Sequence, residues 1–176
     1  KGITCDRCGV EVTTSDVRRE RMAHIELAAP VSYIWLFKST ANWMGLLLNM
    51  SQSDLEKVLY FKNYLVIKQG DSSYKQKELL TEEEYQKAKT DYKGFEASIG
   101  AGAIRELLSE VDLKKTESSL LRSIKNTKYK GRRKKLIKTL RVAQGLKRSK
   151  VKPEWMVTDV IPVLPPDLRP LLPLDG

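Results

Sequence analysis

Cys5 and Cys8, in "CDRCGVEV", form the pair whose spacing points most directly to chemistry in this 176-residue chain. C-x-x-C can present two thiolates to one metal ion, or cycle between dithiol and disulfide. Structural zinc takes four ligands, yet the chain holds no other cysteine and a single histidine, His24. Three readings stand: half of a zinc site shared with another stretch of chain, a redox dithiol, or two thiols without joint function. Redox pairs of this form sit where a strand feeds a helix. Here Gly9 follows the pair and Val10 and Val12 alternate around Glu11, which predicts a short strand, as in the turn of a zinc ribbon. A small residue after the second thiolate lets backbone N–H groups approach the sulfurs. On the zinc reading the missing ligands lie upstream. His24 could join only by folding back, and is expected as a hydrogen-bonded interior or edge residue.

The second chemistry is cationic. The net charge of +10 is concentrated between Val111 and Lys152, where 16 Lys and Arg face only Asp112 and Glu117. That stretch carries +14 and the remainder −4. Such a cluster serves polyanions through counterion release, or is a solvated helical surface with no ligand. Its densest part is Arg132, Arg133, Lys134 and Lys135, the candidate nucleic-acid-binding residues. "VRRERM" is a smaller basic group, read as a structural salt-bridge patch. No Gly-rich phosphate loop, G-x-S-x-G, H-E-x-x-H or D-x-D cluster is present, so the sequence offers no catalytic centre of its own.

These residues need a scaffold, and hydrophobic residues at 41% are enough for a core. No apolar run approaches the 18 residues of a membrane span. No signal peptide is visible, and two close cysteines suit a reducing cytosol. The pattern predicts a strand over "HIELA" ending before Pro30, then a buried aromatic segment "VSYIWLFKS" with Trp35 and Phe37 in the core. A short helix is expected next, over Asn42 to Leu48. Ser53 to Glu56 reads as a capping box opening a helix that buries Leu55, Val58 and Leu59. "NYLVIK" reads as a strand, and Thr81 to Glu84 as a second capping box, with Leu80 and Tyr85 as its hydrophobic staple. A helix buries Ile104, Leu107, Leu108 and Val111 on one face. The basic stretch predicts two helices broken at Gly131, with Leu113, Leu120 and Ile124 facing Leu136, Leu140 and Ala143. Its outer side and tip carry Lys128, Lys130, Arg132, Arg133 and Lys134. "PEWMVTDVIPVLPP" supplies a return strand. The fold class is α+β: irregular and helix-rich, with short strands, a basic antiparallel helical hairpin and a truncated zinc-ribbon end. The expected divisions are 1–28 (second half of a zinc ribbon and a strand), 29–112 (mixed body), 113–150 (basic hairpin) and 151–176 (return strand and a loop start).

The C-terminal "PVLPPDLRPLLPLDG" holds five prolines and closes on Asp175-Gly176, a turn signal that expects a returning segment. A chain that opens inside a metal site and closes inside a turn reads as a piece of something longer. In order, "KGITCDRCGVEVTTSDVRRERMAHIELAAPV", "LLTEEEY", "RRKKLIKTLR" and "KPEWMVTDVIPVLPPDLRPLLPLDG" resemble the β′ subunit family of bacterial DNA-directed RNA polymerases, near its N-terminus in the clamp. The resemblance covers essentially the whole chain, and "CGVEVT", "VRRERM", "HIELAAPV", "PEWM" and "VLPPDLRPL" carry its specificity.

The resemblance implies a zinc ribbon whose C-x-x-C half is Cys5 and Cys8, its C-x-C half lying upstream. It implies that the magnesium-binding aspartates of nucleotidyl transfer, and the helices that dock sigma factor, lie beyond Gly176. Arg169, Pro170, Leu171, Leu172, Pro173, Leu174, Asp175 and Gly176 match the start of the lid loop, which parts RNA from template. The implied role is a clamp segment that helps enclose DNA and the RNA–DNA hybrid. Its partners are the beta, alpha and omega subunits and sigma factor, with no membrane, in a cytoplasmic, nucleoid-associated enzyme. Zinc belongs to the whole subunit, poorly held by these residues alone, and the isolated chain is expected to be inactive. One departure is the Lys114–Lys130 stretch, more basic than the resemblance leads one to expect. The alternatives are a free-standing basic nucleic-acid-binding module using 113–150, and a thiol oxidoreductase.

Overall fold

A minimal hairpin carries the two thiols. In the computed structural model, which describes residues 2–40 and 42–171, strand β1 (Ile3–Thr4) pairs antiparallel with β2 (Glu11–Val12), Ile3 opposite Val12. Gly9 turns the chain between them at φ 69°, a left-handed conformation that costs glycine little. The one-turn helix α1 (Val17–Glu20) comes next. Its Arg18 and Arg19 reach Asp167 at 2.9 and 3.9 Å, while Arg21 reaches Glu11 at 3.2 Å. The "VRRERM" cluster is thus engaged in ion pairs.

Strand β3 (Ala23–Ser32) pairs with the late strand β7 (Val157–Val163) as a two-stranded sheet. β3 does not end before Pro30 but runs through it, and β7 likewise contains Pro162. In a two-stranded ribbon each strand has a free edge, where a proline nitrogen removes no ladder bond. The chain divides into two compact units, residues 1–28 with 160–176, and residues 29–159. The boundary falls within both strands.

In the larger unit, α2 (Ile34–Phe37) is a single turn that buries Phe37 at 4% exposure but leaves Trp35 70% exposed. The expected burial of Trp35 fails for a geometric reason. Residues two apart on a helix point about 200° apart, so only one of them can face the core. Trp35 instead packs edge-to-face on Tyr33, centroids 5.3 Å apart.

Helix α3 (Trp43–Leu48) is capped by Asn42, whose side chain accepts from the Gly45 N–H at 2.7 Å. A Cβ at Gly45 would sit 2.7 Å from the Met50 carbonyl, so the tight return to the next helix requires glycine there. Helix α4 (Gln52–Leu59) begins two residues earlier than the Ser53 box predicts. Ser51 is the cap, accepting from the Asp54 N–H at 3.1 Å and donating to the Asp54 carboxylate at 2.7 Å. Ser51-x-x-Asp54 thus takes the place of the expected box, two residues earlier.

A three-stranded antiparallel sheet has β4 (Tyr64–Lys68) between β5 (Leu79–Leu80) and β6 (Glu96–Ser98). Helix α5 (Glu82–Asp91) opens on the Thr81/Glu84 capping box, both halves formed as expected. Helix α6 (Gly100–Ser109) buries Ile104, Leu107 and Leu108, and joins Met44, Leu48, Leu55, Val58 and Leu65 in the core.

Helices α7 (Leu113–Asn126) and α8 (Lys130–Ser149) are joined by Thr127–Tyr129. The break is therefore not at Gly131, which lies in the first turn of α8. There the N–H groups lack helical partners in any case, so glycine costs the helix little. Glu117, near the start of α7, accepts from Gln144 at 2.9 Å and Lys147 at 2.6 Å near the end of α8, so the helices run in opposite directions. α8 enters the core through Ala143 and Leu146, whereas α7 buries no residue fully. A 3-10 turn (Pro153–Met156) delivers the chain into β7, where Asp159 receives a bidentate hydrogen bond from Arg105 of α6 at 2.6 and 2.7 Å. Helices and mostly antiparallel short strands make the chain α+β.

Candidate metal half-site and candidate nucleic-acid interface

The thiol hairpin presents both sulfurs at one end. The Cys5 N–H donates to the Val10 carbonyl at 2.8 Å, and the Gly9 N–H donates to the Cys5 carbonyl at 2.8 Å, folding Asp6 to Cys8 into a tight loop. Hydrogen bonds from the Arg7 N–H, then from the Cys8 N–H and thiol, hold the Cys5 thiol below its ordinary range. N–H groups aimed at a sulfur stabilise a thiolate whether it binds metal or attacks a disulfide, so this shift alone favours neither chemistry. The element after Cys8 does discriminate. It is the strand β2, not the helix N-terminus typical of a redox pair.

Cys5 and Cys8 fit two of the four positions of a zinc site. Among the described residues no group of three or more His, Cys, Asp and Glu gathers to hold a metal. His24 is an exposed strand residue, its Nε2 3.8 Å from a Glu26 carboxylate oxygen. Of the interior or edge positions expected for it, it takes an edge one, in the two-stranded β3–β7 sheet.

The cationic residues of the second site are ordered by helix packing. The two acids of the basic stretch are both committed elsewhere. Asp112 caps α7, accepting from the Lys114 and Lys115 N–H groups at 2.8 and 3.2 Å. Glu117 bridges to α8. Their carboxyls are held below the usual carboxylate range, Asp112 by the Lys115 and Lys114 N–H groups and Glu117 by Lys147 and Gln144. Glu117 faces α8, and Asp112 offers only its second oxygen, 4.0 Å from Lys115, to the outer surface.

Arg132, Arg133, Lys134 and Lys135 lie in the first turns of α8, all exposed. They do not form one cluster, because successive helical residues point about 100° apart. Lys135 donates to the Asn49 side chain at 3.0 Å and, with Lys134 and Lys138, lines a depression beside Asn42 and Leu46. Arg132 lines a separate polar groove against α7, with Lys115, Arg122 and a row of hydroxyls. Sequence reasoning missed this groove. Its signal was the helical spacing of Lys115, Ser119, Arg122 and Asn126, which the eye passes over beside the Arg132–Lys135 run.

Of the residues expected to begin a lid loop, Arg169 donates to the Leu164 carbonyl at 3.0 Å, and Pro170 and Leu171 are exposed. Leu172, Pro173, Leu174, Asp175 and Gly176 lie outside the described residues. No helix among the described residues is long and apolar enough to cross a membrane.

The described residues thus form a mixed body with a thiol hairpin and a cationic helix pair. Residues 1–176 match the family model RNA polymerase Rpb1, domain 1, and the chain belongs to that family. Over its whole length it is 56% identical to the DNA-directed RNA polymerase subunit beta′ of Clostridium perfringens and 54% identical to that of Natranaerobius thermophilus. It is 51% identical to that of Rickettsia rickettsii. The chain spans 13 to 15% of the length of these relatives.

Proposed function

We propose that this chain is part of the clamp of a bacterial RNA polymerase β′ subunit and lends it a nucleic-acid-facing surface without a catalytic centre. The observation that carries the reading is the match of the entire chain to β′ subunits at 51 to 56% identity. The cationic surface of α7 and α8 supports it. Lysines and arginines on a helix pair anchored through Ala143 and Leu146 gain phosphate affinity without reading base edges, as a part that must hold any sequence requires.

In this reading Cys5 and Cys8 supply half of a zinc site, and the other two ligands come from outside this chain. Zinc, when bound, would tie the hairpin to that second segment and add its binding energy to folding. Arg169 to Gly176 begin the lid. The beta, alpha and omega subunits and sigma factor are the protein partners, DNA and the RNA–DNA hybrid the nucleic-acid ones, in the cytoplasm. Magnesium and nucleotidyl transfer belong to the rest of the subunit.

The test is a chimera in which these residues replace the matching segment of the Clostridium perfringens subunit, reconstituted with its partners. The expected outcome is an enzyme that assembles and transcribes. Changing Arg132, Arg133, Lys134 and Lys135 to Gln should then make its elongation complexes dissociate at lower salt. A chimera that fails to assemble where the parent succeeds contradicts the assignment to the clamp. An active chimera whose salt tolerance ignores the four changes overturns the nucleic-acid-facing role.

A further inference from the structure

We infer that the groove between α7 and the start of α8 is a phosphodiester-binding subsite, distinct from the depression that Lys134, Lys135 and Lys138 line. In it Lys115, Arg122 and Arg132 supply charge, and Ser119 and Ser123 supply neutral donors. The inference deepens the nucleic-acid-facing reading above and rests on it.

The groove is lined by Lys115, Ser119, Arg122, Ser123, Asn126 and Arg132, with Ser118 and Thr127 at its margin. No carboxylate is among these lining residues. Asp112, 4.0 Å from Lys115, spends one oxygen on the first N–H groups of α7, and Glu117 faces α8. Three cations thus share a concave surface; Lys115 keeps Asp112 at 4.0 Å as a partner outside the lining, while no carboxylate lines the groove beside Arg122 and Arg132.

The hydroxyls divide into two sets. Ser118 donates to the Lys114 carbonyl at 3.0 Å and Thr127 to the Ser123 carbonyl at 2.6 Å, so both are satisfied within the helix. Ser119 and Ser123 make no such return bond and stand one turn apart, on the same face as Arg122. An anion in the groove would meet guanidinium and ammonium charge together with O–H donors, which is how phosphate oxygens are held. Lys115 and Arg122 are about 10 Å apart along the helix axis. That separation is longer than one phosphate, so the two charges can meet neighbouring phosphates of one strand. With no aromatic side chain in its lining, the groove has nothing to stack on bases, and so suits the backbone.

The test uses the 176-residue chain, labelled duplexes of unrelated sequence, and a salt series. S119A/S123A removes two hydroxyls, no charge, and raises helix propensity, so a loss of affinity cannot be a loss of fold. It should weaken binding about three- to tenfold with the salt slope unchanged, since two neutral hydrogen bonds go. K115Q/R122Q should flatten the slope of log K against log salt by roughly 2, about 0.9 per phosphate contact. Inorganic phosphate at matched ionic strength should compete no better than chloride, because one phosphate fills only part of the stripe.

Unchanged affinity in S119A/S123A, or an unchanged slope in K115Q/R122Q, overturns the subsite. If R133Q/K134Q still flattens the slope in that case, the nucleic-acid-facing reading survives alone. Strong competition by inorganic phosphate would make the groove a free-anion site instead. No binding of duplex to the unaltered chain even at low salt would defeat both proposals.

Discussion

Helices α6 and α7 are neighbours in sequence and opposites in construction. α6 has ten residues and buries six of them; α7 has fourteen and buries none. α6 is determined by the core, where Ile104, Leu107 and Leu108 sit among Leu55, Val58 and Leu65. α7 is held by its Asp112 cap, by half-buried Leu113 against the core, and by the Glu117 bridge to α8. The difference teaches which sequence is free to serve something other than folding. Packing leaves α6 little choice, while the outward lysines, arginine and serines of α7 are not required by any contact that forms the domain.

The largest expected effect tests the cored side of this contrast. Leu107→Ala should lower stability by about 2 to 5 kcal/mol in chemical denaturation, as buried leucine truncations do. A smaller, sub-kilocalorie loss would show that α6 is not the keystone described.

Acid should act next, and on the other helix. The Asp112 and Glu117 carboxyls sit below their ordinary values in the folded chain, so their contribution is present above the unfolded carboxylate range, near pH ~4. It is lost as pH falls through the lower folded values. Hydrogen exchange should therefore show α7 losing protection below about pH 4 before α6 does, with little change between about pH 6 and 8. Loss of α7 protection near neutrality would mean that other groups hold it.

Leu121→Ala, on the exposed side of α7, should change stability by no more than about 0.5 kcal/mol. A cost comparable to that of Leu107→Ala would erase the contrast. Smallest of all, dialysis against a mild chelator should leave the helical signal of both helices unchanged and the chain with well under one zinc, because two thiolates make only half a site. Stoichiometric zinc retained by a monomer would refute the half-site.

Much of this was legible in the sequence where one local rule decides. The Thr81/Glu84 box, the apolar face of α6 and the strand after Cys8 are each set by spacing within a few residues. Other features escaped because two local solutions compete. Ser51 and Ser53 both offer a cap, and Ser51 takes it through its paired bonds with Asp54. Trp35 and Phe37 both look like core until the backbone turns helical between them. Gly131 looks like a break, yet the turn forms at Thr127–Tyr129 and Gly131 falls in the first turn of α8. At the candidate sites the thiol pair was readable from spacing. The α7 groove had its signal in the helical spacing of Lys115, Ser119, Arg122 and Asn126, and only its closure by Arg132 across the helix pair was hidden.

The central claim, that the cationic helix pair and not the cored body faces nucleic acid, is tested most directly by hydrogen–deuterium exchange. Exchange would be measured on the chain with and without duplex DNA at low salt. The expected result is slowed exchange in α7 and the first turns of α8, fading as salt rises, with α6 and the β5-β4-β6 sheet unchanged. Protection centred on the thiol hairpin or the core sheet, or none in α7 and α8 under conditions where DNA is bound, would contradict it.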